Sequence, residues 1–160
     1  EEANCSVTAR VTDPNPAGLR VRQRPDVRSP VLAYLKPAAE DAVVTVNAVA
    51  TRPGWVRIGG AHAGDTQLFA DEGWVSAQHV AVTLRGEHAS QSGAKQVAVR
   101  LSPSTESRVG GMVDVGVDVR LRRVRCGWVE VAWRNQRGWV RSAQLCSDAR
   151  SRCESQSERP

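Results

Sequence analysis

The feature that most constrains this chain is a Gly-Trp-Val unit that occurs four times, in two matched pairs. The first pair is Gly54-Trp55-Val56 and Gly73-Trp74-Val75; the second is Gly127-Trp128-Val129 and Gly138-Trp139-Val140. Each pair is preceded by a strand-like run ending in a Pro turn. These runs are Leu19-Arg20-Val21-Arg22-Gln23-Arg24-Pro25 and Val97-Ala98-Val99-Arg100-Leu101-Ser102-Pro103, with the two prolines 78 positions apart. Between turn and first Trp, each copy carries two hydrophobic runs: 31–35 and 43–46 in the first, 109–113 and 115–119 in the second. Self-similarity of this kind signals a duplicated supersecondary unit that stacks on its own copy.

The periodicity inside each copy is that of β structure. Val tends to recur at every second position, as a pleated strand with one buried face requires. Gly and Pro punctuate the chain roughly every ten residues, the rhythm of short strands and tight turns. With only one Met and one Phe, the core must come from Val, Leu, Ala and Trp. The two Trp of a pair are 19 apart in the first copy and 11 apart in the second. The extra residues fall in 59–72, which reads as a lengthened hairpin loop, tolerated because closure entropy grows slowly with length. Asp65, Gln67, Phe69 and Asp71 make that loop a candidate partner surface. The chain thus divides into a first unit at 1–85, a polar Gly/Ser-rich linker at 86–94, a second unit at 95–147 and a polar tail at 148–160.

Each copy resembles the bacterial SH3-like (SH3b) domain family. The Leu19–Pro25 and Val97–Ser104 runs are similar to its first strand and turn, Trp55 and Trp128 to its middle Trp, and the second Gly-Trp-Val of each pair to the segment leading into its last turn and strand. The resemblance implies an all-β fold of two tandem SH3-like small β-barrels, with short hairpins and 3₁₀ turns. It also implies a binding role, as in cell-wall targeting modules that recognise peptidoglycan peptides or scaffolds of envelope complexes. Fold alone does not choose among these.

Strand parity nominates the binding residues. In Trp128-Val129-Glu130-Val131 the two Val share the core face, so Trp128 and Glu130 face outward; the same parity sets Trp55 beside Arg57. An outward Trp among charges is either a ligand platform, with large contact area and a polar N–H, or a cover over the sheet edge. Trp74 and Trp139 adjoin core Val and read as structural. Arg120, Arg122 and Arg141 belong to a basic cluster that suits an anionic partner or is simply a solvated face. Polyproline docking needs an aromatic groove, and Ser76, His79, Arg141 and Gln144 stand where its last-turn residues would be.

A net charge of +5, almost all of it from Arg, does not demand nucleic acid. No apolar run is long enough to span a membrane. The chain opens on Glu1-Glu2-Ala3-Asn4-Cys5 without Met, which predicts a product whose leader has been removed. The sequence contains no G-x-S-x-G, P-loop, H-E-x-x-H or dinucleotide turn, and its three His lie apart from its Cys. The expectation is therefore a non-enzyme without cofactor or metal, periplasmic or extracellular, that binds peptidoglycan peptide. The alternative is a periplasmic immunity, inhibitor or adaptor protein that binds a toxin, a hydrolase or another envelope protein.

Four cysteines without metal or redox spacing favour two disulfides in an oxidising compartment, and three connectivities are possible. Cys126 and Cys146 flank one hairpin-rich unit, which favours pairing them and leaves Cys5 with Cys153. Each bridge adds ~2–4 kcal/mol, largely by restricting the unfolded chain. Peptide mapping without reductant is expected to recover Cys126 joined to Cys146; a Cys126 peptide joined to Cys5 or Cys153 would refute the pairing.

Overall fold

The computed structural model describes residues 6–12, 17–36, 42–84 and 96–146. Cys5 and Cys153, the expected linker at 86–94 and the expected tail at 148–160 lie outside the described residues. The described residues are all β, with two short 3₁₀ turns and no α-helix. The first half contains β1 (Val7–Val11), β2 (Leu19–Arg22), β3 (Val31–Leu35), β4 (Val44–Arg52), β5 (Trp55–Ala63), β6 (Thr66–Phe69), β7 (Gly73–Ser76), the 3₁₀ turn η1 (Ala77–His79) and β8 (Val80–Leu84). The second half contains β9 (Gln96–Arg100), β10 (Val109–Asp114), β11 (Asp118–Arg125), β12 (Trp128–Trp133), β13 (Gln136–Arg141), η2 (Ser142–Gln144) and β14 (Leu145–Cys146).

All fourteen strands belong to one antiparallel sheet, ordered β10-β9-β13-β12-β11-β8-β1-β4-β5-β7-β2-β3, with β14 on β8 and β6 on β5. It is an open path that does not close on itself. Continuity comes from β8. Along one edge β8 pairs with β1 through Val80 and Ala81 and with β14 through Thr83 and Leu84; along the other it pairs with β11 through Ala81, Val82 and Thr83. β1 lies between β4 and β8 as β8 lies between β11 and β14. The registers coincide after a shift of 73 residues: Ala9 faces Val46, and Val82 faces Val119. Val11 opposite Val80 has its counterpart in Leu84 opposite Leu145, where the first partner shifts by 73 residues and the second, across the shorter second repeat, by 65. The strand that ends the first repeat is therefore also the outer strand of the second. All five β8 residues are buried, as an apolar run covered on both faces should be. The buried side chains of both repeats form one hydrophobic cluster.

The two glycines of each Gly-Trp-Val pair serve different ends. Gly54 and Gly127 sit at φ +80° and +82° in the β4–β5 and β11–β12 turns, where a side chain would meet no atom but the backbone conformation favours glycine. Gly73 and Gly138 are needed for close approach. A Cβ on Gly73 would lie 2.4 Å from Val21 Cγ1, and one on Gly138 would lie 2.3 Å from Val99 Cγ1 and 2.9 Å from the Arg100 carbonyl. The Pro turns repeat in detail as well. Arg22 donates to the Ser29 carbonyl at 2.9 Å and Ser29 Oγ accepts from the Arg24 amide at 2.8 Å. Arg100 donates to the Ser107 carbonyl at 2.7 Å and Ser107 Oγ accepts from the Ser102 amide at 3.0 Å.

One local expectation is corrected. Residues 59–72 are not a free loop: β5 runs on to Ala63 and pairs with β6 through Ala61–Phe69, His62–Gln67 and Ala63–Thr66. Gly64, at φ +63°, makes the turn beside Asp65. A register shift between the Ala61–Phe69 and His62–Gln67 pairs breaks the alternation, so that Leu68 and Phe69 both pack against the core, with Gln67 exposed and Asp71 accepting the Glu72 amide at 2.8 Å. The eight extra residues lengthened a ladder, because Ala61 and Ala63 had partners waiting at Val46 and Val44 on β4.

Polar contacts also join the repeats. Arg10 on β1 donates to Asp118 on β11 at 2.5 Å, and buried Thr83 on β8 donates to the same carboxylate at 2.6 Å. Burial alone pushes the Asp118 carboxyl up; the bonds from Thr83 and Arg10, with the charge of Arg10, outweigh it and hold the group below the usual carboxylate range. Arg120 donates to the Gln78 carbonyl at 3.0 Å, and Thr51 Oγ1 accepts from the Val124 amide at 3.2 Å. Cys126 is disulfide-bonded.

Two outcomes are expected. Gly138→Ala forces Val99 and the Arg100 backbone apart and loses about 1–3 kcal/mol in urea denaturation, the usual range for overpacking. Asp118→Asn loses about 1 kcal/mol or less near neutral pH, because the Asp118 side chain is 49% exposed and solvent screens the pair. A depressed folded pKa gives stability that is present above the unfolded carboxylate value, ~3.9, and lost as pH falls through the folded value. The denaturation midpoints of Asp118→Asn and the unaltered chain should therefore differ at neutral pH and converge in acid.

Candidate functional site

The outer face of each repeat presents two cross-strand rows on the same scaffold. In the first repeat, Ala50, Arg57 and Trp74 lie opposite one another across β4, β5 and β7, and Arg52, Trp55 and Ser76 form the next row. In the second, the rows across β11, β12 and β13 are Arg123, Glu130, Trp139 and Arg125, Trp128, Arg141. Cross-strand neighbours of this kind are close enough to interact directly.

The charges in the central row are reversed between repeats. Arg57 pairs with Glu72 at the end of the β6–β7 connection. Glu130 takes the corresponding position in the second repeat and accepts from Arg123 at 2.8 and 3.3 Å, with Arg122 at 3.8 Å. The bond to Glu130 holds the Arg123 guanidinium above its ordinary range. Arg123 and Arg125 lie 5.0 and 5.5 Å from the Trp139 ring centre, cation–π distances that seal the indole. Trp139 is 3% exposed and Glu130 4%. Glu130 does face away from the Val core as parity required, but it is covered and paired, so it is not an exposed ligand contact.

The second row differs between the repeats. At Trp128 the side chain of Arg141 reaches across the strand, 6.0 Å from the ring centre. At Trp55 the corresponding residue is Ser76, too short to cover the indole. A cleft of about 260 Å³ opens there, lined chiefly by Trp55, Ser76, His79, Arg20, Arg22 and Val27. The β2–β3 turn supplies one wall. Arg22 is fixed by its bond to the Ser29 carbonyl, and Val27, 69% exposed, stands at the rim. Opposite, Ser76 Oγ accepts from the Gln78 amide and starts η1, whose last residue is His79. The cleft combines an indole platform, an imidazole and two guanidinium groups. That set suits a small amphipathic group carrying a carboxylate.

Of the residues nominated from sequence, Trp55 lines this cleft, Arg57 lies one row away on β5, and Trp128 and Arg141 stack on each other in the second repeat. Arg120 and Arg122 do not join them. They line a separate cleft of about 320 Å³ between the repeats, with Arg123 and with Arg52 at the β4–β5 hairpin tip. Asp65, Gln67, Phe69 and Asp71 belong to neither lining. Arg20, Arg22, Val27 and Arg52 were not nominated. The contrast of Ser76 with Arg141 was legible by aligning the second Gly-Trp-Val units. Among the described residues, no three His, Cys, Asp or Glu side chains gather as a metal site would require, and no helix is long and apolar enough to cross a membrane.

No protein-family model and no curated protein matches the chain. Among solved structures, NlpC2 from Trichomonas vaginalis aligns over 92% of this chain and 50% of its own, at 14% identity and a TM-score of 0.34. NlpC1 from Trichomonas vaginalis aligns over 91% and 47%, at 14% identity and a TM-score of 0.33. The chain spans about half the length of these proteins, and at such scores the likeness assigns neither fold family nor activity.

Proposed function

We propose that this chain is a non-catalytic envelope binding protein, exported to the periplasm or cell exterior, whose repeats are SH3-like units sharing β8. Its first repeat binds a peptide of peptidoglycan in the Trp55 cleft. The observation that carries this reading is the exchange of Arg141 for Ser76: of two equivalent, half-buried indoles, Trp128 has a guanidinium 6.0 Å from its ring centre, while Trp55 lines a cleft with Arg20, Arg22 and His79. A short peptide with free carboxylates matches that lining, with its apolar part on Trp55 and Val27 and its carboxylate toward arginine.

A second reading, an immunity, inhibitor or adaptor protein, is favoured by apolar residues on the two terminal strands of the sheet. Leu32 and Tyr34 on β3 and Val109 and Met112 on β10 are exposed on strands that stand at the two ends of the strand order among the described residues. Such edges invite another protein to add a strand. With the 59–72 segment paired into the sheet, this reading now rests on those edges and not on a plug.

Cosedimentation with purified sacculi separates the two. The unaltered chain is expected in the pellet at low salt. Trp55→Ala should weaken binding about tenfold, the scale of an aromatic anchor, while Trp128→Ala leaves it within about twofold. A chain that stays in the supernatant, or equal losses from the two substitutions, would sink the peptidoglycan reading.

A further inference from the structure

The cleft between the repeats has a chemistry of its own. Arg120, Arg122 and Arg123 reach it from a stretch of only four residues of β11, and a β-bulge makes this possible. Leu121 faces Val131 and Arg123 faces Glu130, so Arg122 is the extra residue, and alternation is broken just where it would have sent one arginine to the core face. The first repeat has the same bulge: Ala48 faces Ile58 and Ala50 faces Arg57, with Val49 left over. There the residues matching the three arginines are Asn47, Val49 and Ala50. The bulge thus belongs to the fold, while the arginines are peculiar to the second repeat. A fourth arginine, Arg52, comes from the opposite wall, the hairpin tip of the first repeat.

These groups are held apart by specific contacts. Arg120 is anchored on the Gln78 carbonyl, and Arg123 on Glu130. Arg122 is 3.8 Å from Glu130 and half exposed. Arg52 has no carboxylate partner among the described residues. Glu130 is buried beneath Arg123, so four arginine side chains line a cleft whose own lining holds no carboxylate. One carboxylate occupies one arginine fork; several converging forks fit an oxyanion of higher charge. We infer that the inter-repeat cleft is a binding site for a phosphoryl oxyanion, either a free phosphate compound or a phosphate-linked polymer. It is separate from the Trp55 cleft and does not rest on the peptide reading.

Inorganic pyrophosphate titrated into the full chain by calorimetry at low salt tests the site. Saturable binding at one site is expected, weakening linearly on a log–log plot as salt rises. The double variant Arg52→Gln/Arg122→Gln, made at two exposed positions, should bind at least about tenfold more weakly with an unchanged far-UV spectrum. Arg120→Gln should weaken binding as well. Citrate, a polycarboxylate of similar charge, should bind about tenfold more weakly than pyrophosphate. A long inorganic polyphosphate distinguishes the sources: tighter binding per site than pyrophosphate indicates a polymer ligand, and equal binding a small one, both upholding the site. Absence of pyrophosphate binding, undiminished binding by the folded double variant, or equal affinity for citrate would each overturn the inference.

Discussion

Everything in this molecule hangs on the double pairing of β8. A five-residue strand, Val80-Ala81-Val82-Thr83-Leu84, donates hydrogen bonds along both edges and is buried on both faces. Its first edge completes the repeat it ends, and its second begins the next. Because a strand buried on all sides must satisfy every backbone group within the sheet, β1, β11 and β14 are held in register by it. The single polar side chain in β8, Thr83, is satisfied by Asp118, which Arg10 also grips, so that three strands from two repeats meet on one carboxylate. A small sheet with a thin core gains from this arrangement, since one strand contributes burial to both halves.

On that common frame the two outer faces have diverged. Position 57 is a cation answered by Glu72, and position 130 is an anion answered by Arg123. The second repeat has filled its surface with stacked guanidinium groups and indoles, and its Trp139 is sealed. In the first, Trp55 lines a cleft beside Ser76. The arginines that seal the second repeat extend past it, over a bulge, to the boundary with the first. Covering Trp139 and charging the inter-repeat cleft thus both draw on arginines of β11, while the residue over Trp128 is Arg141 of β13.

The sequence was most informative where a residue type has few physical alternatives. The Gly-Trp-Val units marked the repeat, and the Val parity put Val129 and Val131 in the core and Trp128 at the half-buried outer face, while Glu130, expected to be outward, is buried under Arg123. It was least informative where the outcome depends on a partner far along the chain. Nothing local to Glu130 says that Arg123 covers it. The 59–72 segment looked like a loop because Gly59, Gly60 and Gly64 are turn formers, yet β4 offered unpaired length opposite them, and pairing won. The identity of β1 with β8 escaped notice for a related reason. Val7-Thr8-Ala9-Arg10-Val11 and Val80-Ala81-Val82-Thr83-Leu84 share only their alternate apolar positions, a pattern common to most strands here, so only the registers reveal the match.

Strand sharing has a genealogical side. In a row of units joined like this, each added copy brings one outer strand fewer than a free-standing unit would need, since its predecessor lends one. The unit of duplication is then offset from the unit of folding. A recombination joint anywhere in 85–95 would look neutral on a map of the two Gly-Trp-Val pairs, yet it would strip the downstream copy of the strand against which β11 and β14 assemble. A joint upstream of Val80 would carry that strand along. Lineages that lengthen or shorten such an array should therefore break it ahead of the last strand of a repeat, and a gene fragment cut at the visible boundary would encode an orphan.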